Sequence, residues 1–200
     1  ALFIGIPACS NPAASSTAAP AATAPAAPPA DRKYLLERVG DASVVQLYAD
    51  GFSSLPLKQK ALIWHLYQAA LAGRDIFIDQ KHKDALEMRG IIEQIVSRPQ
   101  GVDAATLTEV QRYTKLFWLN NGPYNNLTAR KFVLTCAPEA FATAAKTAGA
   151  HAAAVARLQP MFFDATVDSI VTNKTPGAGK DILQASANNL YSGAKVADLK

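Results

Sequence analysis

The sequence predicts a mainly α-helical fold, an irregular bundle of helices that follows an extended N-terminal tether. Apolar residues recur at helical spacing in segments 83–97 and 104–119, and segment 61–72 is apolar almost throughout. Asp103 precedes one of these segments as an N-cap, and the stretch 120–123 ends it with residues that readily take left-handed conformations. No two alternating segments are joined by a hairpin signal, so helices account for the visible architecture.

The composition argues against a nucleic-acid-binding protein. The chain has 200 residues, of which 20 are basic and 16 acidic, and these charges are interspersed instead of gathered in one patch. No basic run with interleaved aromatic residues is present, so we predict no nucleic-acid partner. The cysteines, Cys9 and Cys136, belong to no C-x-x-C pair, so zinc-ribbon and thioredoxin-like folds have no support.

An apolar run, 1–8, opens the chain and ends in small residues directly before Cys9. The letters IPAC at its end resemble the lipobox of bacterial lipoproteins, in which the cysteine carries a lipid, so we interpret 1–9 as part of a signal peptide with Cys9 as the lipidation site. The run has no starting Met and no basic region, so we expect its beginning to be missing. An apolar N-terminus without a targeting role is the alternative.

Segment 10–30 contains only Ser, Asn, Pro, Ala and Thr and cannot form a core. Its prolines prevent a stable helix and favour extended geometry, so we predict a disordered, semi-rigid tether. A lipid at Cys9 followed by such a tether is the usual order in bacterial envelope lipoproteins. The residue after the cysteine is Ser10 instead of an aspartate, which resembles lipoproteins that are sorted to the outer membrane. We therefore expect a lipid-anchored protein at the periplasmic face of the outer membrane.

In the predicted folded part, 31–200, one segment is more apolar than the others and is therefore expected to be buried. Within 56–80, His65 and Gln68 are the only polar residues from 61 to 72, and they lie three apart on a narrow stripe. We expect this helix in the middle of the core, with His65 hydrogen-bonded inside the bundle. The other predicted elements are a short helix at 31–39, a connection at 40–54 with an extended piece at 44–48, and helices at 83–97, 104–119, 138–147, 151–158 and 180–192.

The candidate metal and phosphate sites are incomplete. His65, His82 and His151 have no second histidine or glutamate at metal-ligand spacing, so we expect this chain to bind no zinc. His82 stands between two lysines and is predicted to be solvated. The glycine-rich stretch 177–180 lacks the other residues of a phosphate loop, so glycines of a loop before a helix are the better interpretation.

One polar loop, 120–132, looks suited to binding. Its four asparagines and one tyrosine offer hydrogen-bond donors and acceptors at the end of an apolar helix, as the binding of a peptide backbone requires. We assign candidate substrate contacts to Asn120, Asn121 and Tyr124. Asparagines also favour turns, so a purely structural role for the loop is the alternative interpretation.

Two segments combine helical spacing with specific polar residues. Segment 57–80 starts with LKQK, has LYQAALAGRDI at its centre and ends in DQ, while 117–132 has the pattern W-x-x-N-G, a later aromatic residue and then K-F-V. These motifs resemble the N-terminal part of dipeptidyl peptidase III, the M49 family of zinc metallopeptidases. The resemblance covers roughly 50–133 well and the remainder of the chain weakly.

The resemblance implies a two-lobed peptidase with a wide cleft that removes dipeptides from the N-termini of short peptides. In the family, zinc is held by two histidines of a His-Glu-x-x-Gly-His motif and by a downstream glutamate, and the glutamate inside the motif is the general base. None of these residues is present here, so we expect no catalytic residue in this chain and a longer protein that continues past Lys200. The other hypothesis is a non-catalytic helical lipoprotein that binds peptides or a protein partner.

Overall fold

The computed structural model describes residues 31–199, and this part of the chain is mainly helical, as the sequence predicts. A short β-hairpin comes first, and five α-helices follow among the described residues. A stretch of turns at 164–195, called the turn segment below, follows the last of them. The elements are β1 (Leu35–Val39), β2 (Ala42–Val45), α1 (Leu57–Lys81), α2 (Ala85–Ser97), α3 (Ala104–Asn120), α4 (Pro138–Thr147) and α5 (Ala152–Phe163).

The hydrophobic core lies between α2, α3, α4 and α5. On α2 the buried residues recur three and four apart, which is the spacing of one helix face. The ring of Phe162 on α5 lies 4.8 Å from that of Phe141 on α4 and 5.9 Å from that of Tyr113 on α3, measured between centroids. Such aromatic contacts add about 0.5–1.5 kcal/mol each beyond the area that they bury. The largest fully buried side chains of this core are Tyr113, Phe117, Phe141, Phe162, Met88, Ile92, Ile95 and Leu158.

One hydroxyl group is buried in this core without a partner. Tyr113 is fully buried, and its hydroxyl makes no hydrogen bond with the described residues. Burial raises the pKa of this phenol far above its ordinary value, so the side chain is neutral at physiological pH. Edge contacts with Phe132 and Phe162 hold the ring. The hydroxyl therefore adds a desolvation cost that no hydrogen bond offsets.

Local capping explains why α3 begins and ends as predicted. The Asp103 carboxylate accepts hydrogen bonds from the backbone N–H of Thr106 at 2.9 Å and from its hydroxyl at 3.0 Å, which holds the pKa of Asp103 below its usual value. At the other end Asn121 takes a φ of 51°, the left-handed conformation that its sequence predicts. The helix predicted at 138–147 is also confirmed, and it begins with Pro138, whose missing N–H is tolerated there.

The helix predicted at 31–39 is wrong, because this stretch contains β1 of an antiparallel hairpin. Val39 pairs with Ala42, so a two-residue turn joins the strands. Gly40 has a φ of 57°, the positive angle that a tight hairpin needs at its first turn position. The missed signal is this Gly-Asp pair between two short valine-containing segments. The extended piece predicted at 44–48 shares only its first two residues with β2.

Two further predictions fail after α4. Helix α5 continues past Pro160 to Phe163, although the proline lacks the N–H that would bond to the carbonyl four residues earlier. The N–H of Asp164 still donates to the Pro160 carbonyl at 2.9 Å. The helix predicted at 180–192 is absent, and this stretch forms turns. In one of them the Asp181 carboxylate accepts the backbone N–H two residues later at 2.9 Å, a local contact that competes with a helix.

Helix α1 has 25 residues and continues through Gly73 to Lys81, but the prediction that it lies in the middle of the core is wrong. Ile78 is its one buried residue, whereas Trp64 is 58% and Leu66 is 60% exposed. His65, which we expected inside the bundle, is exposed as well, like every residue of 61–72. Periodicity shows that a helix needs apolar cover, but it does not show which part of a protein supplies that cover.

A partly buried ion pair fixes the connection between α3 and α4. Arg112 donates from Nε and from Nη2 to the two carboxylate oxygens of Glu109, each at 2.7 Å, and the same carboxylate accepts the N–H of Thr135 at 2.8 Å. Burial is the largest single influence on Glu109 and opposes its charge, but the hydrogen bonds together outweigh it and hold the pKa of Glu109 below its ordinary value. The ionised carboxylate therefore stabilises the fold.

We expect Glu109→Gln to lower the free energy of unfolding by about 1–3 kcal/mol near neutral pH, because a charged acceptor of three hydrogen bonds is lost. The pKa of Glu109 is lower in the folded state, so its contribution is complete above the unfolded value of about 4.3 and disappears as the pH falls below that value.

Urea unfolding followed by circular dichroism, near neutral pH and in acid, measures this pH dependence. The difference between Glu109→Gln and wild type should shrink in acid. Glu139→Gln, at an exposed position in the first turn of α4, is the control and should show a much smaller trend, because only the helix dipole favours its charge. A difference that is equally large in acid would contradict the stabilising role of the Glu109 charge.

Candidate functional site

The loop at 120–132, called the asparagine loop below, is held together by its own side chains. Asn120 donates from Nδ2 to a backbone carbonyl of α3 at 2.9 Å, and its Oδ1 accepts the N–H of Asn126 at 2.9 Å. The Oδ1 of Asn125 accepts the N–H groups two and three residues later, at 2.8 Å and 3.0 Å. These are turn contacts. The structural role that the sequence left open therefore accounts for Asn120 and Asn125.

Asn121 is the predicted contact residue that lines an open cleft. The cleft has a volume of about 350 Å³ and lies between the end of α1, the middle of α2 and the end of α3. Among the described residues the Asn121 side chain finds no hydrogen-bond partner, so its amide is available to a ligand. The lining residues are Arg74, Ile78, Arg89, Glu93, Phe117, Trp118 and Asn121.

The charged side chains around this cleft pair with one another. Arg89 donates to Asp75 at 2.8 Å, and its Nε lies 3.7 Å from the Glu93 carboxylate, which also accepts the indole N–H of Trp118 at 2.9 Å. The hydrogen bond from Arg89 holds the pKa of Asp75 below its usual value. Arg74 is more exposed than Arg89, and its Nε lies 3.6 Å from the Asp75 carboxylate, a longer contact than that of Arg89. The cleft thus offers an apolar wall, a free amide and a loosely paired guanidinium, a combination that suits a peptide.

Tyr124, the third predicted contact residue, is fully buried. Its hydroxyl donates to the backbone carbonyl of Asp168 at 2.8 Å, and burial raises the pKa of the phenol far above its ordinary value. The side chain therefore ties the asparagine loop to the turn segment. A direct contact of Tyr124 with a substrate stays a prediction.

His82 lies in this region, although we predicted it to be solvated, and only 2% of it is exposed. Its Nδ1 accepts the backbone N–H of Asp84 at 3.1 Å, so the neutral ring carries its proton on Nε2, which donates to the Asp168 carboxylate at 3.1 Å. The flanking lysines carry no signal of burial. His82 lies in the turn between α1 and α2, and the fold of this turn places its ring against Asp168 of the turn segment.

Lys131 is a second buried group that the sequence did not reveal. It is 8% exposed, and its ammonium donates to the carbonyl of Val167 and lies 3.5 Å from the carbonyl of Pro160, at the end of α5. Burial lowers the pKa of Lys131, while the charges of Asp168 and Asp164 act against this shift. The ammonium therefore stabilises the carbonyl end of α5 and holds the asparagine loop against it.

The predicted lipidation site, Cys9, and the tether at 10–30 lie outside the described residues. Between residues 31 and 199 there is no group of three or more His, Cys, Asp or Glu side chains that could hold a metal ion. Over the same range no helix combines the length and the apolar character needed to cross a membrane. The lipid anchor and the zinc of a longer protein stay predictions.

No protein-family model matches this chain, and no curated protein is significantly similar to it. The resemblance to the dipeptidyl peptidase III family therefore depends on the motifs in 57–80 and 117–132 alone.

We expect Tyr124→Phe to lower the free energy of unfolding by about 1 kcal/mol, because the substitution deletes the hydrogen bond to the Asp168 carbonyl. The matched control is Tyr113→Phe, which deletes a buried hydroxyl without a partner and should leave stability unchanged or raise it by up to about 1 kcal/mol. Guanidinium-chloride unfolding of both variants measures this. If Tyr113→Phe were the more destabilising change, the roles given to the two hydroxyls would be reversed.

Proposed function

We propose that this chain is the N-terminal, non-catalytic portion of a zinc-dependent dipeptidyl peptidase of the M49 family, which releases dipeptides from the N-termini of peptides. The observation that carries the proposal is that the two motif segments meet in the fold. Segments 57–80 and 117–132 both line the cleft, the first through Arg74 and the second through Asn121. Polar residues of both motifs thus share one surface, as a binding site requires.

The second motif segment is also in close contact with Lys81, the last residue of α1, which directly follows the first motif segment. The Lys81 ammonium donates to Oδ1 of Asn126 at 2.6 Å. Gly122 has a φ of 143°, and a Cβ on it would lie 3.1 Å from the Cβ of Lys81. A larger residue would therefore be strained and would push the asparagine loop away from α1. This close approach supports a specific role for the glycine of the W-x-x-N-G motif.

In this proposal the cleft binds the peptide, and the remainder of the protein supplies the chemistry. The Asn121 amide donates to and accepts from the peptide backbone, and the Arg74 guanidinium pairs with a peptide carboxylate. Asn120 and Tyr124 act as positioning residues, because their hydrogen bonds set the shape of the asparagine loop. The zinc, its ligands and the general base belong to the part of the protein that carries the family's metal motif.

The proposal includes a location. A lipid on Cys9 holds the protein at the periplasmic face of the outer membrane, and the segment 10–30 separates the peptidase from the lipid surface. The substrates are then short peptides of the cell envelope. The lipobox-like letters before Cys9 and the proline-rich composition of the tether support this location.

The native protein, purified from its source membrane, tests the proposed function. We expect an intact mass well above the 21.2 kDa of this chain. We also expect release of a dipeptide from a dipeptidyl arylamide, which chelation abolishes and zinc restores, and no release by this chain alone. An intact mass equal to residues 9–200 plus lipid would overturn the proposal and leave a non-catalytic lipoprotein.

Asn121→Gly removes the side-chain amide and keeps the left-handed backbone conformation, so it tests the amide alone. Glycine takes a φ of 51° without strain, so stability should stay within about 0.5 kcal/mol of wild type. The lost hydrogen bond to the peptide should raise KM about 5–10-fold and change kcat little.

Steady-state kinetics of the native full-length enzyme on a peptide substrate measures this effect. Leu127→Ser, at the tip of the asparagine loop where the side chain is 96% exposed, is the control and should change neither constant. A wild-type KM in Asn121→Gly would remove Asn121 from the substrate contacts.

A further inference from the structure

Helix α1 carries a large apolar surface that the described residues leave uncovered. Nine of its large apolar side chains are between 42% and 82% exposed. With about 100° of rotation per residue, these side chains cover roughly three quarters of the circumference of the helix. The nine are Leu57, Leu62, Ile63, Trp64, Leu66, Tyr67, Leu71, Ile76 and Phe77.

The C-terminal end of α1, in contrast, is anchored. Ile78 is buried against the core, Asp75 accepts a hydrogen bond from Arg89 at 2.8 Å, and the backbone carbonyl of Gln80 accepts the N–H of Asn189 at 3.0 Å. The residues of 61–72 are all exposed. At about 1.5 Å per residue, the stretch 57–73 extends about 25 Å beyond this anchored end.

The distribution of apolar side chains around α1 indicates which kind of partner covers the helix. A membrane surface covers one face of a helix, and so does a symmetric contact with a second copy, so each leaves the opposite face in water. The exposed apolar surface of α1 is on the order of 1,000 Å², which exceeds the usual largest patch of a monomer and reaches the size of one side of a stable interface. A helix that is apolar on nearly all sides is covered by a surrounding polypeptide core.

Charge gives a second criterion for the partner. The charged residues between Leu57 and Gly73 are Lys58 and Lys60, which lie at the N-terminus of α1, where the backbone dipole is also positive. A partner surface that receives this helix therefore combines an apolar interior with an acidic rim near Leu57.

We propose that residues 57–73 of α1 insert into the apolar core of a second lobe of the same polypeptide, so that α1 is a continuous strut between the two lobes. This inference rests on the proposed function, because the longer peptidase supplies the second lobe. Arg74, which lines the cleft, then lies at the boundary between the lobes.

Hydroxyl-radical footprinting of the native full-length protein, read by mass spectrometry, tests the strut. We expect Trp64 and Tyr67 to be oxidised at least about tenfold more slowly than in the same protein unfolded in urea. The buried Tyr113 is the internal reference and should show the same protection. Oxidation of Trp64 and Tyr67 at the unfolded rate would overturn the inference.

The same measurement separates other partners from a second lobe. Protection of Trp64 that disappears on dilution, while light scattering shows dissociation, would identify a second copy and overturn the inference. Protection that requires added phosphatidylethanolamine and phosphatidylglycerol vesicles would identify a membrane surface and overturn it as well. An active peptidase with a reactive Trp64 would refute the strut alone, whereas a native mass equal to residues 9–200 plus lipid would refute the proposed function.

A pair of variants in the full-length protein gives an independent test. Leu66→Glu places a charge in the proposed buried region and should lower Tm by about 10 °C or more, or prevent folding. Leu127→Glu introduces the same charge at a side chain that is 96% exposed and should leave Tm unchanged. An unchanged Tm in Leu66→Glu would overturn the inference.

Discussion

The contact of Phe162 with the rings of Tyr113 and Phe141 joins α5 to α3 and α4 at one point of the core. The backbone carbonyl of Phe162 also accepts the N–H of Leu134 at 2.8 Å, so the chain that leaves the asparagine loop is fixed at the same point. Because this loop starts at the end of α3 and returns along α5, its position depends on how these two helices pack. The apolar core thus places the polar loop.

Buried polar groups then attach the turn segment to that core. His82 directly follows α1, whereas Tyr124 and Lys131 belong to the asparagine loop, and His82 and Tyr124 bond directly to Asp168. Asp168 itself has a φ of 44°, an uncommon conformation that the surrounding contacts must hold in place. Buried polar groups cost stability unless they are paired, so these contacts favour one arrangement of the turn segment. A segment without helices or strands is thereby positioned beside the C-terminal end of α1.

Helix α1 connects the proposed function to the proposed strut. Its last turns contribute Arg74 and Ile78 to the cleft, while residues 57–73 need cover that the described part of the chain does not supply. If both proposals hold, one rigid element borders the peptide-binding cleft and also reaches into the second lobe. A continuous helix is suited to this because every backbone hydrogen bond within it is satisfied locally.

By itself the sequence determined the helical class, the bounds of α3 and α4 and the left-handed turn at Asn121, because N-caps, prolines and turn residues act on their immediate neighbours. It also showed which residues of α1 are apolar, and it marked the asparagine loop. The hairpin at Gly40 had a local signal, the Gly-Asp pair, that we missed, whereas the burial of His82 and Lys131 and the exposure of α1 were decided by tertiary structure alone. Burial depends on which surfaces meet, and that depends on contacts between residues far apart in the sequence. For the same reason, the sequence offered Asn120, Asn121 and Tyr124 as equals, and only the fold separated the free amide of Asn121 from two side chains that shape the loop.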